Sequence, residues 1–311
     1  MEASTLWIIT GCTAIGKTAL SIRLAQKFSA EILSCDSLNF YRGMDIGTAK
    51  PVPRERVGVP HHGIDLCDIS ETYDVERYQR DALTAVKNIQ NRGHPVLIVG
   101  GSGFYLQSFY RAVIDDIFIP KSIQAYVSEL FCQEGLPGIV EELLKISPKT
   151  GALDLRNPRR VLRALSRCLA SGHNVLELQE LFLAKQSLFH AWPKRTCLLT
   201  RNPENLRNRA AQRIDDMITR GLIEEVQQLQ CQGLRFDSPA GQAIGYRETL
   251  HWLQTDRRDI AALKDPMLQN TLHLIRKQRT WFRHQIPIDW ILNLDLHSEE
   301  ESFDILSTFF Q

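Results

Sequence analysis

The chain has 311 residues, enough for one large or two modest domains. With 43% hydrophobic and 23% charged residues, and 37 Lys+Arg against 36 Asp+Glu, the composition excludes a disordered chain and a globally basic one. Any nucleic-acid surface must therefore be a local patch.

No apolar run reaches the ~18 residues of a membrane helix, so no membrane association is expected. The opening MEASTLWIITG lacks the basic n-region of a secretory signal. Seven scattered cysteines without a CxxC pair argue against a disulfide framework and a structural zinc site. Together these features predict a cytoplasmic protein.

Leu6–Thr10 is a short apolar run that stops at a glycine-rich turn and reads as a buried strand. Residues 17–28 follow as a helix with Leu20, Leu24 and Phe28 on one face. Ala30–Cys35 reads as a second strand ending at Asp36, residues 71–92 as a helix, and Val96–Val99 as a third strand ahead of Gly100-Gly101. This alternation predicts an α/β fold with a parallel sheet flanked by helices, and the GCTAIGKT turn between its first strand and helix makes that core P-loop NTPase-like.

From residue 114 to 193 the pattern is helical throughout (122–134, 138–146, 158–170, 174–187), an all-helical insert. Cys197–Thr200 looks like a returning strand. Helices at 203–220, 221–232 and 267–284 and a short strand within 288–294 complete the chain. The expected organisation is a discontinuous α/β core, 1–113 with 194–311, interrupted by the insert 114–193.

Residues 11–18, GCTAIGKT, match GxxxxGK[ST] between a strand and a helix, the context that gives this motif its meaning. Gly11 and Gly16 let the backbone of Cys12, Thr13, Ala14 and Ile15 curl so that N–H groups converge on phosphate oxygens, aided by the helix N-terminus. Lys17 supplies a charge, and the Thr18 hydroxyl can ligate Mg²⁺. The competing reading is a chance glycine turn. A second apolar strand ending in an acid, usual in a hydrolase, is missing: residues 96–99 end in Gly100-Gly101-Ser102-Gly103, and GIDLCD at 63–68 is a weak substitute.

Asp36-Ser37 ends the second strand, so Asp36 faces the same crevice as the phosphate loop and can accept a proton from a nucleophile. It can equally cap the next turn. The loop that follows, SLNFYRGMDIGTAKP, places Tyr41, Asp45, Thr48 and Lys50 in a long ordered segment, where function concentrates. Basic clusters lie at Arg156, Arg159, Arg160, Arg163 and Arg167, and at RKQRTWFRH (276–284), either an RNA-facing helix with a stacking aromatic or a core helix with a basic outer face; the aromatics are read as core. A third is Arg201, Arg207, Arg209 and Arg213, one of which can reach the phosphate cleft. The first cluster is either a phosphate-binding surface or a solvated helix face.

In order, GCTAIGKT, DSLNFYRGMDIGTAKP, VGGSGFY, NPRRVLRAL, AIGYRE and RKQRTWFR resemble the bacterial tRNA dimethylallyltransferases, also called tRNA isopentenyltransferases, from about residue 7 to about residue 285. The resemblance implies transfer of a dimethylallyl group from dimethylallyl diphosphate to N6 of the adenosine 3′ of the tRNA anticodon, with Mg²⁺. It implies that Thr13, Gly16, Lys17, Thr18 and Arg213 hold the diphosphate and that Asp36 is the base. Asp36, Ser37, Leu38, Asn39, Ser102, Gln124 and the segment Arg159, Arg160, Val161, Leu162, Arg163 would contact the tRNA. A monomer without an obligate protein partner is expected. Departures from the family pattern are Cys12 for Pro, Asn39 for Gln, Ser102 for Thr, Gln124 for Arg, and Asn157-Pro158-Arg159-Arg160 for Asp-x-Gln-Arg. The rival readings are a small-molecule P-loop kinase, a prenyltransferase of free adenine nucleotides, and a non-enzymatic RNA-binding protein.

Overall fold

The computed structural model describes residues 4–255 and 259–311. The described residues up to Tyr110, with Leu188–Gln311, form one compact unit, and Arg111–Ser187 form another. Residues 188–193, read from sequence as insert, instead belong to the first unit. Phe189 is fully buried there against Phe109, ring centroids 4.4 Å apart.

The first unit is an α/β layered structure. In chain order it runs β1 (Leu6–Thr10), α1 (Lys17–Phe28), β2 (Glu31–Ser34), α2 (Pro53–Arg56), β3 (His61–His62), α3 (Val75–Asn91), β4 (Val96–Gly100) and α4 (Gly103–Gln107). The six strands, completed by β5 (Lys194–Thr200) and β6 (Trp290–Asn293), make one parallel sheet in the order β3-β2-β4-β1-β5-β6.

Successive strand residues face opposite sides. Ile8, Leu33, Ile98 and Leu198 pack with Tyr78, Ala82 and Val86 of α3 on one face. Ile9, Ile32, Leu97 and Leu199 pack with Leu20 and Leu24 of α1 on the other. Each such side chain removed from water contributes ~1.5–3 kcal/mol, which holds the strand ends in fixed register.

The second unit holds α5 (Lys121–Ile146), α6 (Pro158–Ser171) and α7 (Val175–Ala184). α5 breaks at Gly135, φ 66°, ahead of Pro137, which matches the two helices read from sequence. The Asn157 side chain accepts from the Arg160 N–H and Pro158 occupies the first turn, so α6 starts sharply. Val161, Leu165 and Cys168 of α6 bury against Val127, Ile139 and Leu143 of α5.

Back in the first unit follow α8 (Pro203–Thr219), α9 (Leu222–Cys231), α10 (Tyr246–Leu253), α11 (Ala261–Gln285) and α12 (Glu299–Phe310). Helix α12 is absent from the sequence reading. Its signals were present: a Ser298/Glu301 capping box, then Leu306 and Phe310 at helical spacing, which bury on the α1 face. The weak strand at 63–68 is not formed; the pairing residues are His61–His62.

The sheet's carboxyl edge is drawn tight at one glycine. A Cβ on Gly100 would sit 2.0 Å from the Cys35 carbonyl oxygen, a clash with backbone that cannot swing aside. Gly100→Ala should lower the unfolding free energy by about 3 kcal/mol, read as a drop in the urea midpoint with an unchanged slope.

Candidate active site

The phosphate loop lies between β1 and α1. Gly11 (φ 152°) and Gly16 (φ 102°) take backbone conformations open to glycine, and Ala14 (φ 62°) is left-handed. Gly11 is also needed for space, since a Cβ there would lie 2.8 Å from the Leu199 carbonyl oxygen. Lys17 Nζ donates to the carbonyls of Gly11 and Cys12, each at 2.9 Å. Cys12 and Ile15 point into the core, so they contribute backbone only.

Burial pushes the Lys17 ammonium down to about 8. Cys12 and Asp36 act to raise it, and Arg213 acts to lower it. Two more of the loop's carbonyls are claimed: Arg209 Nε donates to Ala14 at 2.9 Å and Arg201 Nε to Ile15 at 3.1 Å. Arg201 is held in turn by Asp295 at 3.1 Å. Two arginines thus reach the loop and Arg213 lines the adjoining cavities, against the single arginine expected; Arg207 is exposed.

Two cavities open at the carboxyl edge. One, about 870 Å³, is lined by residues 13–19, Asp36, Asn39, Arg209 and Arg213. The other, about 630 Å³, is walled by Leu38, Ile214, Met217, Leu274, Trp281 and Phe282 among others. Six residues line both: Thr13, Asp36, Thr48, Gly101, Arg213 and Gln278. An anion-binding space therefore adjoins an apolar one, with a carboxylate at the junction.

Asp36 sits on the crevice and also caps the next turn. It lines both cavities, and its Oδ1 accepts the Leu38 N–H at 3.2 Å, capping the turn. Ser102 accepts the Ser37 N–H on Oγ at 2.9 Å and donates its own N–H to the Cys35 carbonyl, tying the ends of β2 and β4 together. Ser37, Leu38 and Ser102 line the apolar cavity. Asn39 lines the polar one and donates to Ser34 Oγ at 3.2 Å. Arg213 is half-buried and donates to the Thr48 carbonyl at 2.9 Å; desolvation lowers its pKa and Asp36 raises it.

The 37–51 loop is held from beneath. Lys50 is buried and bonded to Asp45, Asp65 and the Tyr41 carbonyl, each at 2.7 Å, and Tyr41 is core. These residues build the loop, with no place among the cavity linings. Glu225, absent from the sequence reading, accepts the N–H groups of Asp45, Ile46 and Gly47 and the Tyr246 hydroxyl.

Gln278 and Trp281 were also not identified as site residues. Trp281, read as core, is a half-buried wall of the apolar cavity, packed so closely on Gly103 that a Cβ there would lie 2.6 Å from its ring; Phe282 is core as expected. The signal was the 274, 278, 281 spacing, one helical face.

In the helical unit, Arg159, Arg160, Arg163 and Gln124 are exposed. Val161 is fully buried, so its assignment to RNA contact is corrected: its side chain fills the α5–α6 core. Leu162 is half-buried against the same core. Arg167 is turned to Asp115 at 2.7 Å.

Among the described residues no group of three His, Cys, Asp or Glu could hold a metal alone. Thr18 and Asp36, oxygen donors on one cavity, suit a magnesium ion that takes the rest of its shell from phosphate and water.

A model of the IPP transferase family matches residues 39–285. The chain belongs to the IPP transferase family. The tRNA dimethylallyltransferase of Opitutus terrae is 45% identical over 283 residues, 91% of each chain. That of Geobacillus thermodenitrificans is 37% identical over 287 residues, 91% of this chain and 89% of its own. Among solved structures, the Bacillus halodurans tRNA isopentenylpyrophosphate transferase has a TM-score of 0.70 at 31% identity, covering 98% of this chain and 95% of that one. A eukaryotic dimethylallyltransferase acting on tRNA has a TM-score of 0.81 at 26% identity, covering 94% and 74%. The six-stranded parallel sheet with flanking helices is the fold of these IPP transferases.

If Lys17 holds an anion in this IPP transferase, its depressed ammonium predicts pH-dependent binding. The lysine is charged below about 8 and neutral above it, so attraction for a diphosphate is present at low pH and lost as pH rises. Inorganic diphosphate affinity of the wild type, divided by that of Lys17→Arg, should fall by about tenfold between about pH 7 and about pH 9 in calorimetric titrations. The division cancels ionisation of the ligand.

Proposed function

We propose that this chain is a tRNA dimethylallyltransferase. It moves the dimethylallyl group of dimethylallyl diphosphate to N6 of the adenosine immediately 3′ of the tRNA anticodon. The observation that carries the reading is the shared lining of the two cavities. A phosphate-binding space beside an apolar one suits a diphosphate ester of a small hydrocarbon, and Asp36 stands where the two parts meet. A small-molecule kinase would leave the apolar cavity without an occupant.

The steps follow from the side chains. The loop N–H groups of residues 11–18 other than Thr13, with Lys17 and Arg213, take the diphosphate, and Thr13 lies at the cavity junction. The N6 lone pair attacks C1 of the dimethylallyl group; the N–C bond forms as the C1–O bond breaks, and its electron pair leaves with the diphosphate. The Asp36 carboxylate takes the N6 proton. Charge developing on the leaving oxygen meets donors already in place, so little reorganisation is needed. Magnesium, held by Thr18 and the diphosphate itself, would add neutralising charge there.

The adenine must leave its stack to reach this cleft, which favours a loop of RNA over duplex. Ser37, Leu38, Asn39 and Ser102 are assigned to the extruded region of the tRNA. The exposed Arg159, Arg160 and Arg163, with Gln124, are assigned to its backbone, and residues 111–187 thus serve as the RNA-gripping part of the chain. The enzyme is assigned to the cytoplasm, as a monomer with no obligate protein partner.

The reading is tested by incubating the protein with labelled dimethylallyl diphosphate and unmodified tRNA, followed by nucleoside analysis; labelled ATP giving phosphate transfer instead would replace it with the kinase reading. Asp36→Asn should bind diphosphate normally and lose about 10²–10⁴-fold in kcat. Near-normal turnover would remove Asp36 from the mechanism.

The triple change of Arg159, Arg160 and Arg163 to Ala should lose most tRNA affinity and flatten the log–log salt dependence by roughly 0.7 to 0.9 per lost phosphate contact. Dimethylallyl diphosphate affinity should stay unchanged. Superimposable salt curves would leave these arginines as a solvated face.

A further inference from the structure

Gln278 is a residue of the cavity junction that belongs to neither the phosphate loop nor the Asp36 turn. It comes from α11, far along the chain from both. Its Oε1 accepts the Thr13 N–H at 2.9 Å, and its Nε2 donates to the Gly101 carbonyl at 2.8 Å. A carboxamide carries an acceptor and two donors on one planar unit, so it can join an N–H to a carbonyl without charge.

The surroundings leave little freedom. A Cβ on Gly101 would sit 3.0 Å from Gln278 Nε2, 3.1 Å from the Gly11 carbonyl oxygen and 3.5 Å from Lys17 Nζ. Gly101, the loop entrance, Lys17 and Gln278 are therefore packed around one point. From Gly101 the connection continues through the next residue. Ser102 accepts the Ser37 N–H and donates to the Cys35 carbonyl, gripping Asp36 from both sides in sequence. One chain of hydrogen bonds thus runs from Thr13 through Gln278 and the Gly101-Ser102 turn to the Asp36 turn. Of its members, Gln278 alone lies outside the strand-end turns that it joins.

The geometry points to Gln278 as a positioning residue for prenyl transfer: it locks the phosphate loop to the turn that carries Asp36, so that leaving group and base keep one spacing. The inference rests on the transferase reading above. The Thr13 N–H given to Gln278 is withheld from phosphate, so the lock acts on where the diphosphate sits and has little share in how tightly it binds. Bond making and breaking at one carbon need the nucleophile, the carbon and the leaving oxygen in line, and a displacement of about 1 Å can cost on the order of 10²-fold in rate. Loss of the lock should therefore appear in kcat and leave KM for the diphosphate substrate nearly unchanged.

Two variants test this. Gln278→Met keeps the length and removes both hydrogen bonds. Gln278→Glu keeps an acceptor for Thr13, loses the donor to Gly101 and places negative charge beside the anion site. The first readout is hydrogen exchange in the ligand-free protein over the peptide that contains Thr13. The second is kcat and KM for dimethylallyl diphosphate with saturating unmodified tRNA. The third is the urea midpoint.

For Gln278→Met, the Thr13 amide should exchange at least about tenfold faster, and kcat should fall about 10–100-fold with KM within about threefold. For Gln278→Glu, exchange at Thr13 should stay slow while KM rises, because the carboxylate opposes the diphosphate. A simple strut predicts a lower urea midpoint with wild-type kcat in Gln278→Met, and that result overturns the proposal. A rise in KM alone in Gln278→Met also overturns it, since Gln278 would then be a binding group. If the wild type transfers no dimethylallyl group, the transferase reading fails. The exchange arm still decides the lock: unchanged protection of Thr13 in Gln278→Met disproves it, and faster exchange upholds it.

Discussion

A turn that aims its amides inward at an anion must aim its carbonyls outward, and each outward carbonyl needs a donor. Most of this molecule's site follows from that constraint. Lys17 satisfies Gly11 and Cys12, Arg209 satisfies Ala14, and Arg201 satisfies Ile15. The same cations give the loop its positive surroundings, so one set of contacts both holds the turn and makes it attractive to phosphate. The cost is visible in Lys17, whose ammonium is depressed to about 8 by burial. It is stable there because the carbonyls and the Asp36 carboxylate offset part of the desolvation.

The parallel sheet supplies the second requirement, a common edge. β1, β2 and β4 end side by side, so the phosphate loop, the Asp36 turn and the Gly100-Gly101 turn emerge together. The edge is a tight fit: Gly100 touches the Cys35 carbonyl, and Ser102 closes the gap by bonding the backbone on either side of Asp36. The loop behind it is anchored by a buried lysine and by Glu225, each bonded to several partners at once. Charge is buried here only where every donor and acceptor finds a partner. The anchored loop then offers the Thr48 carbonyl that fixes Arg213 over the cleft.

The helical unit is built on a different logic. Its core is a small aliphatic cluster around Val161, Leu165 and Leu143, and its arginines sit on the outside of the same helix. A chain of net charge +1 has no general positive field, so the exposed Arg159, Arg160 and Arg163 on one helix form a local concentration of positive charge. Their neighbour Arg167 is spent on Asp115.

The amino-acid sequence by itself determined the parallel α/β core, the helical stretch between its halves, the phosphate loop, and Asp36 on its crevice. Those features come from local chemistry: apolar runs, glycines that permit positive φ, and a strand–turn–helix alternation that calls for a parallel sheet. The tertiary structure alone decided the rest. Glu225, Gln278 and Trp281 act on segments far away in sequence, and no local pattern says which turn a helical side chain will meet. Val161 shows the same limit in reverse. It shares a segment with three exposed arginines, yet one helical step turns its side chain into the core. Lys50 and Tyr41, in a loop rich in candidate residues, are structural because the loop folds over them, and that depends on Asp65 and Cys67, which pair with it from the next stretch of chain.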